Sequence, residues 1–339
     1  MDLSLGPQRE TVTPGFRRPP RMTPAVAAVR SAGTGADRGA SLPVIPAAVA
    51  IPVLDLVAGE LTPATILAAY SAAVVLCCEP RADRPARIVT VLAREASGVP
   101  NGVRTALTAA DRPFRKLTEG DAAFVGGGGI QLTGMRLRAV RTVRTAVSHI
   151  TPSPRAVRRI GDVAGGAPRG VADEPVGALR AALATGDAAG LRAAVRALVG
   201  LGTGSTPGGD DVLAGTMAGL LATDRAVLAH QIAAALLPDL AARTPVVSAD
   251  LLRLAAQGNV CTEAGAVILA AAEHGCRSAN PSSDLGSDLD RALARLLAIG
   301  HTSGADMATG LAIGLGVPDQ PRPRQPRRSR VRMAGATAW

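Results

Sequence analysis

Two stretches in the C-terminal half of the chain, GDDVLAGTMAGL (residues 209–220) and GADMATGLAIGL (residues 304–315), share the pattern G-x-D-x-x-x-G-x-x-x-G-L. The aspartate and the two later glycines are four positions apart, so they lie on one face of a helix. A glycine inside a helix costs about 1 kcal/mol relative to alanine, so two on one face require a reason. A face without side chains lets another backbone approach closely. We therefore expect the two helices to pack together or on shared neighbours, which brings the loops before them to one cleft.

The sequence around this repeat predicts an α+β fold. Residues 41–150 contain short runs of β-branched residues between turn signals, which predicts a β-rich N-terminal part. Within it, Thr62 followed by Pro63 is typical of a helix start, so we expect residues 62–78 to form a helix. Residues 151–318 carry Ala, Leu and Val at helical spacing, which predicts a helical C-terminal part with two pseudo-repeated Gly-rich loop–helix units.

Two segments of the β-rich part leave a choice open. Residues 136–150 alternate enough to fit either a strand or a basic helix. The glycines at positions 126–128 indicate a hairpin or a close approach of two backbones, because no helix signal follows them as it would after a phosphate-binding loop.

The formal net charge of +10 is concentrated at the two ends of the chain. Residues 1–40 and 319–339 are rich in proline and arginine and poor in large apolar residues. Neither segment can bury enough surface to offset the entropy of ordering, so we expect both to be disordered. The part between them is nearly neutral, which argues against a nucleic-acid-binding protein.

The sequence shows neither a targeting signal nor a membrane span. Its first ten residues lack a basic start followed by an apolar run, and no apolar run is long enough to cross a bilayer. We therefore expect a cytoplasmic protein without a membrane partner. The four cysteines contain no C-x-x-C pair, which gives little support to a structural zinc site: they are Cys77, Cys78, Cys261 and Cys276.

The loop before the first repeated helix, TGSTPGGDD (residues 203–211), is the strongest candidate for a functional site. It is not a P-loop, because Asp210 stands where lysine is required, and Pro207 stands where a dinucleotide fingerprint needs glycine. Free N–H groups at a helix start, with hydroxyls nearby, suit a phosphate or carboxylate group. The residues expected to bind this small anion are Gly204, Ser205, Thr206, Gly208, Gly209, Thr302, Ser303 and Gly304.

Four side chains near these loops are candidate catalytic residues: Asp210, Asp211, His301 and Asp306. Carboxylates would repel an anion unless a divalent cation such as Mg²⁺ lay between them, so Asp211 and Asp306 are also candidate metal ligands. An aspartate in the first turn of a helix is equally a favoured cap, and His301 is equally a histidine at its preferred helix end. Glu263 is expected to be structural.

The same motifs resemble a bacterial domain family of unknown function that includes the AllH subunit of oxamate carbamoyltransferase. GLGTGSTPGGDDVLAG (residues 200–215) is similar to the family signature G-x-G-x-T-P-S-G-D-D-x-L-x-G, with Gly208 where serine is usual. GHTSGADMATG (residues 300–310) is similar to the family's C-terminal motif G-H-[ST]-S-G-x-D, and residues 244–258 resemble the helix between the two motifs.

This resemblance covers about residues 40–316 and implies a function. It implies a cytoplasmic subunit of an oxamate carbamoyltransferase-like enzyme of purine or allantoin catabolism, which interconverts oxalurate and phosphate with oxamate and carbamoyl phosphate. The partners would be a small anionic substrate and the other subunits of the complex. The chain would be either a catalytic subunit or a non-catalytic binding or assembly subunit, and the sequence leaves this choice open.

Overall fold

The structure of the protein, a computed structural model, describes residues 42–82, 85–272 and 284–318. The two segments predicted to be disordered, residues 1–40 and 319–339, lie outside the described residues. The described chain forms a closed β-barrel followed by a group of packed helices. Within that part of the chain, no helix combines the length and the apolar character needed to cross a membrane.

The barrel closes through pairing of its first and last strands. Its strand order is β1-β5-β4-β3-β2-β6-β7-β8, and β8 pairs with β1 in parallel. The β4–β5 pair is also parallel, and the other neighbouring strands are antiparallel. The strands are β1 (Val44–Ala50), β2 (Thr62–Ala69), β3 (Ala73–Cys78), β4 (Arg87–Leu92), β5 (Gly102–Thr105), β6 (Ala122–Gly126), β7 (Gly129–Leu132) and β8 (Met135–Val143).

Strand β4 shows how the barrel is joined to the helices. Val89 and Val91 belong to the barrel core, while Ile88, Thr90 and Leu92 are buried on the other side of the strand. A strand buried on both faces has a nearly continuous apolar sequence, as RIVTVL has. The helical part covers that outer face through helix α8 (Val246–Ala256).

The predicted fold class needs correction, because the β-rich part is a closed barrel of eight strands in the described chain and the prediction contained no barrel. The helix predicted over residues 62–78 is also wrong, since this segment is the β2–β3 hairpin. Thr65, Ile66, Val74 and Val75 are β-branched, and their packing in the sheet outweighs the local Thr-Pro start signal.

The two segments left open by the sequence are now assigned. The strand alternative applies to residues 136–143, which belong to β8. The hairpin alternative applies to the glycine run, because Gly126, Gly127 and Gly128 all have positive φ angles in the tight turn between β6 and β7. Glycine adopts these angles without steric cost.

The helical part surrounds one central pair of helices, α5 and α11. A short helix, α1 (Leu54–Ala58), lies within the barrel half and contributes Leu56 and Val57 to its core. The remaining helices are α2 (Pro154–Gly165), α3 (Asp173–Thr185), α4 (Ala188–Leu198), α5 (Gly208–Ala222), α6 (Ala226–Leu236), α7 (Leu240–Arg243), α8, α9 (Thr262–Ala270), α10 (Asp284–Leu297) and α11 (Ser303–Gly316).

Helices α5 and α11 pack backbone to backbone through their repeated glycines. A Cβ atom on Gly215 would lie 2.2 Å from the carbonyl oxygen of Met307, and one on Gly310 would lie 2.1 Å from that of Val212. Val212 and Met307 occupy equivalent positions in the two repeats, so the contact is reciprocal, as expected for an approximate two-fold relation. The prediction that these two helices pack together is confirmed.

Candidate functional site

A cavity of about 180 Å³ lies beside the start of α5 and the start of α11. Its wall is mostly apolar, with Val99 and Pro100 from a barrel loop and Leu252 from α8. Its polar side chains are Ser97, Thr206, Asp210, Asp211, Ser248, Asn259 and Ser303. Among the described residues, no lysine, arginine or histidine lines this cavity.

Asp210 holds the chain around the cavity together. It is 1 % exposed, and its Oδ1 accepts a hydrogen bond from the Gly200 amide at 2.8 Å. Its Oδ2 accepts from the Ser248 hydroxyl at 2.6 Å and also from the Thr244 hydroxyl. Both carboxylate oxygens are thus engaged by the chain itself, and they fasten the turn at residue 200 and the start of α8 to α5.

Asp211, the next residue, differs from Asp210 in the hydrogen bonding of its carboxyl group. It is 7 % exposed, and its buried Oδ2 has no hydrogen-bond partner in the part of the chain that the structure describes. Burial raises the pKa of its carboxyl group well above the usual range; the Ser303 hydroxyl opposes this shift, and the carboxyls of Asp306 and Asp210 add to it. A buried polar atom without a partner calls for an explanation, and a role in binding a hydrogen-bond donor of a ligand is one.

Asp306 occupies the equivalent position in the second repeat and is fully buried. The amide of Gly170, in the loop between α2 and α3, donates to its Oδ1 at 3.1 Å and to its Oδ2 at 2.9 Å. Burial raises the pKa of the Asp306 carboxyl, and the hydrogen bond from Gly170 opposes that shift. The two equivalent aspartates therefore differ in one respect: a backbone amide satisfies Asp306, and Asp211 faces the cavity without such a donor.

The amides at both helix starts are largely used within the chain. Gly209 donates its N–H to the carbonyl of Leu201 at 2.9 Å, and Gly304 donates to the carbonyl of Ile299 at 3.1 Å. The next two amides of α5 donate to the carbonyl of Pro207. Anion binding by these amides stays a prediction, and the amides of Gly209 and Gly304 already have partners.

The two loops meet at the cavity through hydroxyl groups. Thr206 Oγ1 and Ser303 Oγ lie 3.2 Å apart and are joined by a hydrogen bond. Of the other predicted ligand residues, Gly304 lines the cavity, whereas Gly204, Ser205, Gly208, Gly209 and Thr302 lie outside its wall. His301 is exposed and also lies outside the wall, so the structure does not bring it to the aspartates.

A divalent cation between Asp211 and Asp306 does not fit these contacts. Both oxygens of Asp306 accept from Gly170, whereas the Oδ2 of Asp211 is a buried carboxylate oxygen without a hydrogen-bond partner in the described chain. Magnesium demands octahedral oxygen coordination, usually with at least one carboxylate directed at the ion. Nor do residues 42–82, 85–272 and 284–318 contain a group of three or more His, Cys, Asp or Glu side chains able to hold a metal ion.

Cys261 forms part of the apolar wall of the cavity, and its thiol is not nucleophilic at neutral pH. Burial raises the pKa of its thiol to about 12, and its Sγ lies 3.7 Å from the Sδ of Met307. The thiol stays protonated at neutral pH, and the thiolate is the nucleophilic form of cysteine. Cys261 therefore contributes packing. Cys276 lies outside the described residues.

Glu263 holds a barrel loop in the cavity wall. Its Oε2 accepts from the Ser97 hydroxyl at 2.9 Å and from the Gly98 amide at 3.3 Å. This loop carries Val99 and Pro100 into the wall. The sequence gives no signal for the contact, because residues 97 and 263 are 166 positions apart and belong to different halves of the fold.

A second polar link between barrel and helices lies beneath the same loop. Asn101 is fully buried; its Nδ2 donates to Asp250 Oδ2 on α8 at 3.0 Å, and its Oδ1 accepts from the Thr90 hydroxyl of β4 at 3.3 Å. Burial raises the pKa of the Asp250 carboxyl, and the hydrogen bond from Asn101 opposes that shift. No local sequence pattern relates Asn101 to Asp250, because the two residues are 149 positions apart.

The fold and the cavity together define a class: a closed barrel joined to a pseudo-two-fold helix pair, with a small carboxyl-bearing cavity between them. Comparison with known families makes this more specific. The family model described as oxamate carbamoyltransferase subunit AllH matches residues 198–315 of this chain. The resemblance inferred from the two glycine-rich motifs is therefore confirmed over that span, which contains α5, α8 and most of α11. Searches of curated proteins and of solved structures found no match to the chain.

Proposed function

We propose that this protein is a subunit of an oxamate carbamoyltransferase-like enzyme and that its cavity holds a small carboxylate- or phosphate-bearing substrate. The observation that carries the proposal is the unpartnered carboxylate oxygen of Asp211, which belongs to a cavity residue inside the family-matched span. A mostly apolar cavity with a few convergent polar groups is the usual form of a small-molecule site.

The size of the cavity supports a small substrate. A cavity of about 150 Å³ accommodates a molecule the size of benzene, and this cavity measures about 180 Å³. Oxamate and oxalurate are flat molecules on this scale. The hydroxyls of Thr206 and Ser303 lie at the wall and can donate to a carboxylate group. In this proposal the enzyme works in purine or allantoin catabolism in the cytoplasm, and further subunits complete it.

Thermal unfolding with added ligands tests the proposal. The parent protein, Asp211→Asn and Asp187→Asn are each heated with oxamate, oxalurate, carbamoyl phosphate or phosphate. Asp187 is a suitable control, because it caps α4 without lining the cavity and asparagine is an equally good cap. A ligand at 100 times its Kd stabilises the folded state by about 2.7 kcal/mol. We expect at least one ligand to raise the Tm of the parent and of Asp187→Asn, with a much smaller rise for Asp211→Asn.

A non-catalytic binding or assembly subunit is the second candidate. Two observations favour it: the Cys261 thiol is held in its protonated form, and His301 lies outside the cavity wall. Reconstitution with the partner subunits separates the two candidates. Loss of turnover in Asp211→Asn with intact co-purification supports a catalytic or substrate-binding role. Unchanged turnover in Asp211→Asn supports the assembly role.

A further inference from the structure

We propose that Asp211 recognises the N–H end of the ligand, a primary amide or ureido group, and that the anionic end of the ligand lies elsewhere. The inference rests on the proposed function only for the identity of the natural substrate. The recognition chemistry itself is argued from the contacts of this chain.

The internal repeat supplies a template for the missing partner. Asp211 and Asp306 are equivalent residues on equivalent helices, and both are at least nine-tenths buried. The partner of Asp306 is an amide N–H, donated by Gly170 to both carboxylate oxygens. Asp211 has no such donor on its Oδ2 in the described chain. A ligand amide placed against Asp211 would reproduce the contact that the protein makes at the other site.

The charges around Asp211 point to the same kind of ligand. The carboxyls of Asp210 on α5 and Asp306 on α11 both raise the pKa of Asp211, and Asp211 in turn raises the pKa of the Cys261 thiol at the start of α9. Arg169 is a cation that acts on Asp306, and its charge opposes the rise in the pKa of that carboxyl. No basic side chain of the described residues lines the cavity. An anion at Asp211 would face carboxyl groups without a counter-charge, whereas an N–H donor presents positive partial charge.

The affinity of the protein for an amide ligand should increase with pH. Burial keeps the pKa of the unliganded Asp211 carboxyl high, and an N–H donor binds the ionised carboxylate better than the acid. Binding of an amide therefore releases a proton, and its affinity rises as the pH increases through that pKa. An anionic ligand would need the protonated acid as a donor, so its affinity would fall over the same range.

A matched pair of simple probes tests this independently of any carbamoyl chemistry. Isobutyramide and isobutyrate have the same shape and differ in an amide or a carboxylate. Each is titrated by NMR into the full chain, as the parent, Asp211→Asn and Asp187→Asn, at several pH values. We expect the parent to bind isobutyramide at least about tenfold more tightly than isobutyrate, as for one hydrogen bond to a charged group. Asp187→Asn should keep this preference, and Asp211→Asn should lose it together with the pH dependence.

The outcomes separate this inference from the proposed function. Equal binding of the two probes, no binding of isobutyramide to the parent, or tighter amide binding at lower pH would overturn the inference. If isobutyramide binds through Asp211 and oxamate does not bind, the inference stands and the proposed substrate is wrong. If oxamate binds the parent and Asp211→Asn equally well, the inference falls, and oxamate binding then belongs to a site that does not depend on Asp211. Thermal unfolding of Asp211→Asn without ligand confirms that the variant is folded.

Discussion

Two adjacent aspartates of the same helix turn have opposite roles. Asp210 is engaged on both oxygens by Gly200, Thr244 and Ser248, while the Oδ2 of Asp211 has no partner in the described chain. Asp210 therefore stabilises the fold, whereas the buried and unpartnered oxygen of Asp211 lowers the stability of the fold. Buried groups kept without a partner are typical of functional positions.

Replacement of Asp210 by alanine should be strongly destabilising. The change leaves three donors without an acceptor, two of them buried, and we expect a loss of about 3 kcal/mol or more in the free energy of unfolding. Urea unfolding measures it. The matched variant Asp187→Ala removes an exposed aspartate that caps α4, and it should lose only about 1 kcal/mol. Equal losses in the two variants would show that Asp210 is no more than a helix cap.

Replacement of Asp211 by asparagine should stabilise the protein at neutral pH. Because burial raises the pKa of this carboxyl in the folded state, the folded chain holds the proton more tightly than the unfolded chain. The stability that Asp211 contributes is fully present at pH values below the pKa of its carboxyl in the unfolded chain. It is lost as the pH rises through the higher pKa of this carboxyl in the folded chain. At pH 8 the Tm of Asp211→Asn should therefore lie a few degrees above that of the parent. Each kcal/mol of added stability raises the Tm by about 2–4 °C in a domain of this size class. The difference should shrink towards pH 4, and a constant difference would contradict this account.

The sequence indicated that this loop is special, but it could not divide the roles between the two aspartates. The partners Thr244 and Ser248 are 34 and 38 positions from Asp210, and they reach it only after α8 has docked. Local patterns report helix starts and caps, because those depend on neighbouring residues. They do not report hydrogen bonds made by tertiary contacts. His301 illustrates the same limit, since its position beside a motif did not place it in the cavity.

Among the secondary-structure elements, α5 and α11 were the most predictable and the barrel strands the least. The repeated glycines carried information about packing because a backbone contact leaves no alternative to glycine. The barrel depends on pairings such as Val44 with Arg136, which join the two ends of the β-rich segment. A Thr-Pro pair can start a helix in isolation, yet here the β2–β3 hairpin is fixed by its neighbours in the barrel.

A methyl group placed between α5 and α11 should disrupt the protein. In Gly310→Ala the new Cβ would lie 2.1 Å from the carbonyl oxygen of Val212, a backbone atom that cannot move aside without separating the helices. We expect a loss of about 3 kcal/mol or more, at or above the upper end of ordinary overpacking. Gly177→Ala in α3 is the matched control, because its Cβ meets open space. It should be stabilising by about 0.5–1 kcal/mol, and a similar loss in both variants would contradict the close-packing account.

At the scale of the whole molecule, the cavity belongs to both halves of the fold. Most of its polar side chains lie on α5, α8 and α11 or next to their ends, and the barrel loop at residues 97–100 contributes Ser97, Val99 and Pro100. The family model matches residues 198–315, which leaves the barrel outside the matched span. The sequence motifs therefore identified residues on the polar side of the cavity. They did not identify the contribution of the barrel loop, which Glu263 and Asn101 hold in place.

The link between Asn101 and Asp250 offers a test of this joint construction. Asn101→Ala removes the N–H that faces the buried Asp250 carboxylate, and we expect a loss of about 2–4 kcal/mol at neutral pH. Burial already raises the pKa of Asp250, and loss of the Asn101 hydrogen bond should raise it further. The destabilisation should therefore grow as the pH rises through the pKa of Asp250 and should be smaller in acid, where the carboxyl is protonated. Urea unfolding at several pH values measures the loss.

Thr90→Val is the control for Asn101→Ala, because it removes only the hydroxyl donated to Asn101, and its smaller loss should not depend on pH. A pH-independent loss in Asn101→Ala would mean that Asn101 joins the barrel to α8 by packing alone.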